Sequence, residues 1–192
     1  ITKKYPEESG LINDLGVKTV IDACSQSNID RLIFVSTCSN YGLIETNEKA
    51  NEDLITKPLS LYAKSKVAVE EYILSLKGKV SYHPTVLRFA TAFGLSPRMR
   101  FDLTVSEFTR ELILGKELLV FDPDTWRPYC HVRDFARLIQ MVLEAPVETV
   151  SFEVFNSGGD ANNFTKHMIV DEILKLLSTG NVKYQENGTH IL

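Results

Sequence analysis

Arg31-Leu32-Ile33-Phe34-Val35-Ser36 is a short, nearly continuous apolar run. Such a run suits a strand buried on both faces of a parallel sheet. Downstream, Pro58-Leu59-Ser60 reads as a helix entry. The pattern predicts a helix over residues 60–76, ended by Lys77-Gly78. Thr85-Val86-Leu87-Arg88-Phe89-Ala90 then predicts a second strand. Strand, long helix, strand is the βαβ signature of a doubly wound sheet, so the predicted class is α/β.

Upstream of this unit, residues 12–27 carry Leu15, Val20, Ala23 and Cys24 at helical spacing. A loop rich in Asn, Glu and Lys joins the first strand to Pro58. The texture changes after Gly94. Ser96-Pro97-Arg98-Met99-Arg100 reads as a loop with two arginines. A helix over 102–114, a strand over 118–121 and a turn at Asp122-Pro123-Asp124 are expected next. Arg127 and Pro128 read as a polar loop. Then come a helix over 131–143, a strand over 152–155, a turn at 157–160 and a last helix capped by Thr165. The expected division is residues 1–94 and a second lobe over 95–192, with some later elements returning to the sheet.

The chain has 192 residues, 44% of them apolar, enough for a sizeable core. A net charge of −4 carries no basic surplus, which argues against nucleic acid as a general partner. Cys24, Cys38 and Cys130 form no CxxC or zinc-like spacing. They read as reduced thiols of an intracellular, cytoplasmic protein without a metal site. No apolar run approaches the ~20 residues that cross a bilayer, so no membrane partner is expected. The chain opens on Ile1 rather than Met and reads as a piece of a longer protein.

The chemistry concentrates in Tyr62-Ala63-Lys64-Ser65-Lys66. A tyrosine and a lysine four residues apart on a helix project from one face. An ammonium near a phenol favours the phenolate, which suits proton transfer near neutrality. A hydroxyl from Ser36 or Thr37, at the end of a strand, would hold the reacting group. Together these are groups for oxidising an alcohol and reducing a ketone. A helix face pairing an aromatic with a solvated lysine would carry the same five residues.

With these segments in order, the chain resembles the extended short-chain dehydrogenase/reductase family, the nucleotide-sugar epimerases and dehydratases. The resemblance runs from Asn13 to about Leu177. Ser36-Thr37-Cys38-Ser39-Asn40-Tyr41-Gly42 resembles the family's strand-end segment, and counting back from Gly42 puts its catalytic hydroxyl at Thr37. Tyr62 and Lys66 match the YxxxK pair. Leu87-Arg88-Phe89-Ala90-Thr91 resembles the strand that passes the nicotinamide into the substrate lobe. Arg127-Pro128-Tyr129-Cys130-His131-Val132-Arg133-Asp134 resembles the R-x-[YF]-x-H-V-x-D segment, whose leading arginine grips the diphosphate of the substrate.

The resemblance implies a Rossmann-type parallel sheet plus a small substrate-binding lobe. It implies catalytic roles for Thr37, Tyr62 and Lys66, and cofactor contacts from Asn13, Ser36, Phe89, Tyr62 and Lys66. Substrate contacts are expected from Thr91, Arg98, Val120 and Arg127. It implies NAD, with NADP possible, a nucleotide-sugar substrate and a homodimer. Val67, Val69 and Ile73 on the YxxxK helix are candidates for the dimer face.

Two departures bear on the expectation. None of the ten glycines forms GxxGxxG, so the N-terminal phosphate-binding unit of the fold is absent from this sequence. Dehydratases carry Asp-Glu directly after the catalytic threonine, where this chain has Cys38 and Ser39. That steers the expected reaction from dehydration towards epimerisation. A 4-ketoreductase or a dehydratase, and a non-catalytic nucleotide-binding or regulatory protein or an inactive fragment on the same fold, are the alternatives.

Overall fold

The computed structural model describes residues 5–44, 48–177 and 180–186. The chain separates into two compact units. The first holds the described residues up to Phe89 together with Ala136–Ser157. The second holds Ala90–Phe135 and the described residues from Gly158 onward.

The first unit opens with α1 (Pro6–Gly10), which runs through a π-helical segment (Leu11–Gly16) into α2 (Val17–Cys24). Next come β1 (Arg31–Thr37), a 3₁₀ turn (Cys38–Tyr41), α3 (Leu61–Ser75) and β2 (His83–Phe89). After the excursion into the second unit, the later part of α5 (Val132–Glu144), then α6 (Val147–Val150) and β6 (Val154–Ser157) complete it. The sheet order is β1-β2-β6, all parallel, with Thr37 opposite Phe89 and Phe89 opposite Ser157.

Alternation along the strands explains why helices cover both faces. Phe34 and Val86 pack with Ile21, Val69, Ile73 and Tyr82. Ile33, Leu87 and Phe89 pack the other way, with Leu138, Val142, Val150 and Phe155. Val69 and Ile73 are fully buried in the first of these cores, each contributing about 1.5–3 kcal/mol. They are therefore not on an outer helix face, which corrects their assignment to a dimer surface. Arg31 ties the second core down by donating to the carbonyls of Val142 and Ala145 at 2.8 and 2.7 Å. These are end-of-helix carbonyls that a cation satisfies well.

The second unit contains β3 (Thr91–Phe93), α4 (Thr104–Ile113), β4 (Glu117–Phe121), β5 (Trp126–His131), β7 (Asn163–Thr165), α7 (Lys166–Leu174) and β8 (Asn181–Gln185). Its strands form a β3-β5-β7 sheet and a parallel β4-β8 pair. Phe108, Leu112, Leu118, Val120, Tyr129, Ile169, Val170 and Ile173 make its core.

Three details differ from the sequence reading. Arg127 and Pro128 lie on β5, not in a loop. Pro128 misled because it lacks a ladder donor; it sits opposite Asn163 of the three-residue β7. The strand expected at 152–155 begins at Val154, because Phe152 is left-handed (φ 59°) and turns the chain. The helix expected to begin at Ile12 starts at Pro6. Among the described residues no helix is long and apolar enough to cross a membrane.

Candidate active site

Ligands of open parallel sheets bind beyond the carboxyl ends of the strands. In the first unit that edge is marked by Thr37, Phe89 and Ser157. Thr37 is buried and extended (φ −146°, ψ 143°), and its Oγ1 accepts a hydrogen bond from Ser39 N at 3.2 Å. That bond starts the 3₁₀ turn and leaves the hydroxyl hydrogen for another acceptor.

Ser60 caps α3 by accepting from Ala63 N at 3.1 Å. The cap sets Tyr62 in the first turn of the helix and Lys66 one turn on. Tyr62 is 38% exposed. Lys66 Nζ lies 5.8 Å from the centre of the Tyr62 ring and 4.6 Å from that of Phe34, and it donates to Val35 O at 2.9 Å. One of its three donors is thus tied to β1, beside the strand end that carries Thr37. Burial draws the Lys66 pKa below its ordinary value, and the charge of Glu70 opposes that shift.

Ser36 is buried and accepts from Asn40 Nδ2 at 3.0 Å, so its oxygen already has an internal partner. Phe89 packs at the edge of the second core. Asn13 stands in the π-helical segment, where its amide nitrogen donates to Ser9 O and Ser9 Oγ at 2.9 and 3.0 Å.

Beneath these residues lies a polar network that the sequence reading missed. Glu70 (3% exposed) and Arg88 (7%) form a buried ion pair. Arg88 Nη2 donates to Oε2 at 2.7 Å, and Nε adds longer bonds to both carboxylate oxygens. Asn40 Nδ2 donates to Glu70 Oε1 at 2.7 Å. Arg88 Nη1 donates to Tyr41 Oη at 2.8 Å, and Tyr41 passes its proton towards Asn156 Oδ1 at 2.7 Å. Burial lowers the Arg88 pKa, but its hydrogen bonds to Glu70 lead a group of effects that leave it raised. Burial also raises the Tyr41 phenol, against the pull of Arg88. One signal was available: Arg88 is a charge inside the apolar run 85–90, and a fully buried charge needs a partner.

The remaining predicted residues belong to the second unit. Thr91 opens β3, opposite Tyr129. Arg98 is exposed in the loop before α4. Val120 is fully buried in the core of the unit, while the next side chain, Phe121, is 39% exposed. Arg127 is half-buried on β5, opposite Phe164. Lys166, which the sequence reading did not single out, donates to Phe121 O at 2.5 Å. Burial lowers its pKa, Asp122 opposes this, and the nearby charge of Arg127 lowers it further. Lys166 therefore feels the charge of Arg127 together with those of Asp122 and Glu186. His131 accepts from Arg133 N through Nδ1 at 3.2 Å, and its ring meets Phe93 edge-on. Among the described residues no group of three or more His, Cys, Asp or Glu is placed to hold a metal ion.

The first unit thus brings a strand-end hydroxyl, an exposed phenol and a tethered ammonium onto adjoining elements. Among known proteins, the uncharacterized UDP-glucose epimerase YtcB of Bacillus subtilis (strain 168) is 29% identical over 148 residues, covering 77% of this chain and 45% of that protein. The UDP-glucuronic acid 4-epimerase from Bacillus cereus, solved with UDP-glucuronic acid and NAD, is 25% identical with a TM-score of 0.79, covering 91% of this chain and 54% of that one. The dTDP-glucose 4,6-dehydratase from Bacillus anthracis str. Ames, solved with NAD, is 25% identical with a TM-score of 0.80, covering 92% and 56%. The chain spans about half the length of these relatives. An epimerase and a dehydratase fit its backbone equally well, so the fold does not select the reaction. The family model that spans residues 2–158 takes in both kinds of enzyme, and the chain belongs to that family, the NAD dependent epimerase/dehydratase family.

Proposed function

We propose that this chain carries the catalytic groups of an NAD-dependent epimerase acting on a nucleotide-diphosphate sugar. The observation that carries the reading is the tether of Lys66 to Val35 O, which holds its ammonium 5.8 Å from the Tyr62 ring, next to the strand end bearing Thr37. The reaction rests further on Cys38 and Ser39, which supply no carboxylate for removing water.

The donor set suits the nicotinamide-ribose end of NAD. Lys66 has one donor on β1 and two left for ribose hydroxyls, and it stands at the carboxyl edge of a parallel sheet. No GxxGxxG occurs in this sequence, so the fit covers that end alone. When bound, NAD accepts a hydride from the alcohol carbon and returns it to the opposite face.

The protein's part is proton transfer and positioning. Tyr62 takes the proton of the reacting sugar hydroxyl and gives it back when the ketone is reduced. Lys66 stabilises the negative charge that Tyr62 acquires. Thr37 donates its hydroxyl hydrogen to the reacting oxygen and orients it. Ser36 and Phe89 line the cofactor side, with Asn13 further back on the helix before β1. Arg127, with Arg98 as a second cation, holds the diphosphate while the keto-sugar turns. Thr91 and the strand of Val120 complete the substrate side, which we assign to the second unit.

We also read the intact protein as a cytoplasmic homodimer. Leu11, Ile12, Leu15 and Val20 are 59%, 68%, 59% and 61% exposed, an apolar surface that suits a second copy.

The test is Tyr62→Phe in the full-length protein. The expected outcome is a loss of turnover of about 10³-fold, within the 10²–10⁴ range usual for a lost acid–base group. NAD affinity should stay within about twofold of wild type, since the ring remains. Wild-type turnover would overturn the mechanism.

A further inference from the structure

Among the described residues, Glu70 and Arg88 form a buried ion pair that the proposed chemistry does not use. Nine-tenths or more of each residue is withdrawn from solvent. A hydrophobic pair of similar volume would fill such a site at no cost in stability, and often at a gain. The pair's connections point to what it does instead.

Glu70 stands four residues after Lys66 on α3, so it follows the catalytic face of the helix by one turn. Its carboxylate accepts from Asn40, the third residue of the turn that Thr37 caps. Arg88 reaches the same turn through Tyr41, and its guanidinium lies 4.9 Å from the Tyr41 ring centre. The segment leading to α3 is fastened to the same group. Lys57 N donates to Asn40 O at 2.9 Å, and Arg88 Nη1 reaches Glu52 O at 3.4 Å. Asn156 accepts from the Tyr41 hydroxyl through Oδ1, and donates through N to Glu52 Oε1 at 2.7 Å and through Nδ2 to Ala50 O at 3.1 Å. The side of the turn away from Thr37 is thus held by charge-assisted bonds in a low-dielectric interior, where they bend little.

We propose that Glu70 and Arg88 are positioning residues that lock the Thr37 turn onto the Tyr62–Lys66 helix. This rests on the catalytic reading of Thr37, Tyr62 and Lys66. The pair touches neither substrate nor cofactor. It fixes the separation between a hydroxyl on one element and a phenol on another. A loss of register of about 1 Å between such groups costs up to ~10²-fold in rate.

The experiment uses the full-length protein with Glu70→Gln and with the double variant Glu70→Met/Arg88→Met. Glutamine keeps the shape and one acceptor oxygen; paired methionines fill the site and leave no buried charge, which preserves the fold. Both are read by steady-state kinetics, by thermal melting, and by the rate at which Cys38 is alkylated in a short iodoacetamide pulse, quantified by peptide mass spectrometry. Cys38 is a half-buried reduced thiol within the turn itself.

The expected result for the double variant is a kcat lower by about 10²-fold, a nucleotide-sugar KM within about twofold, and Cys38 alkylation at least about fivefold faster, at a melting temperature near wild type. Glu70→Gln should fall between the two. A folded double variant with wild-type kcat, or with wild-type Cys38 alkylation, overturns the proposal. Cys38 alkylation needs no turnover, so its outcome stands apart from the catalytic reading. If Tyr62→Phe were fully active, the reading would fail while the alkylation result still decided whether the pair holds the turn.

Discussion

Two arginine–carboxylate pairs in this chain share nearly the same geometry and have opposite surroundings. Arg88 meets Glu70 at 2.7 Å with side chains 7% and 4% exposed. Arg100 meets Asp102 at 2.6 Å with side chains 64% and 67% exposed. Distance does not separate them; solvent does. Water competes for the Arg100 pair, so its geometry contributes little. No water competes for Glu70 and Arg88, so each depends on the other, and their neighbours Asn40 and Tyr41 depend on both. Arg100 and Asp102 decorate a loop of the second unit, whereas Glu70 and Arg88 fasten the turn after Thr37 in the first.

The largest break in this comparison comes from removing one buried partner. Arg88→Ala leaves the Glu70 carboxylate uncompensated and should cost about 3–5 kcal/mol, read as a lower midpoint in denaturant unfolding. A loss below about 1 kcal/mol would show that Glu70 takes up a proton or reaches water easily, and that the two pairs differ less than their burial suggests.

A smaller effect is expected at the edge of the buried network. Gly42 has φ +72°, and a Cβ there would lie 2.2 Å from the Lys57 carbonyl oxygen. Gly42→Ala strains the backbone and pushes off the segment that Asn40 holds. It should destabilise by about 2 kcal/mol and raise Cys38 alkylation.

The smallest effect belongs to the exposed pair. The hydrogen bond from Arg100 holds the Asp102 carboxyl at about 2, below its ordinary value. A carboxylate with a depressed folded pKa stabilises above its unfolded range near ~4 and loses that stabilisation as pH falls towards ~2. Exposure screens the gain. Asp102→Asn should therefore melt within about 1 °C of wild type at pH 7, with any gap closing as the pH falls from ~4 towards ~2. A clear drop at pH 7 would mean that the loop is held more tightly than its exposure implies.

The same contrast explains what was legible in the sequence. β1, α3 and β2 were readable because they follow local rules: an apolar run, the Ser60 cap and Lys77-Gly78 at the end. Tyr62 and Lys66 were readable because their spacing is local to one helix. Glu70 was not, because the charged pair Glu70-Glu71 looks like part of a solvated face. Only the 18-residue reach to Arg88 shows otherwise. β5 was missed for a related reason. Trp126-Arg127-Pro128 reads as a loop until the pairings with β3 and β7 are present. β8 was missed because its ladder partner, β4, lies some sixty residues earlier. What the chain does between residues near in sequence could be read; what it does between distant residues could not.

If Thr37, Tyr62 and Lys66 serve an epimerase, the hydride leaves a sugar carbon for NAD and returns to the same carbon. The direct measurement supplies the full-length protein with NAD and UDP-hexoses deuterated at C4, with products followed by NMR. The expected product is a C4 epimer that keeps its deuterium, with no net NADH. A 4-keto-6-deoxy sugar, or stoichiometric NADH with a stable keto product, would contradict it.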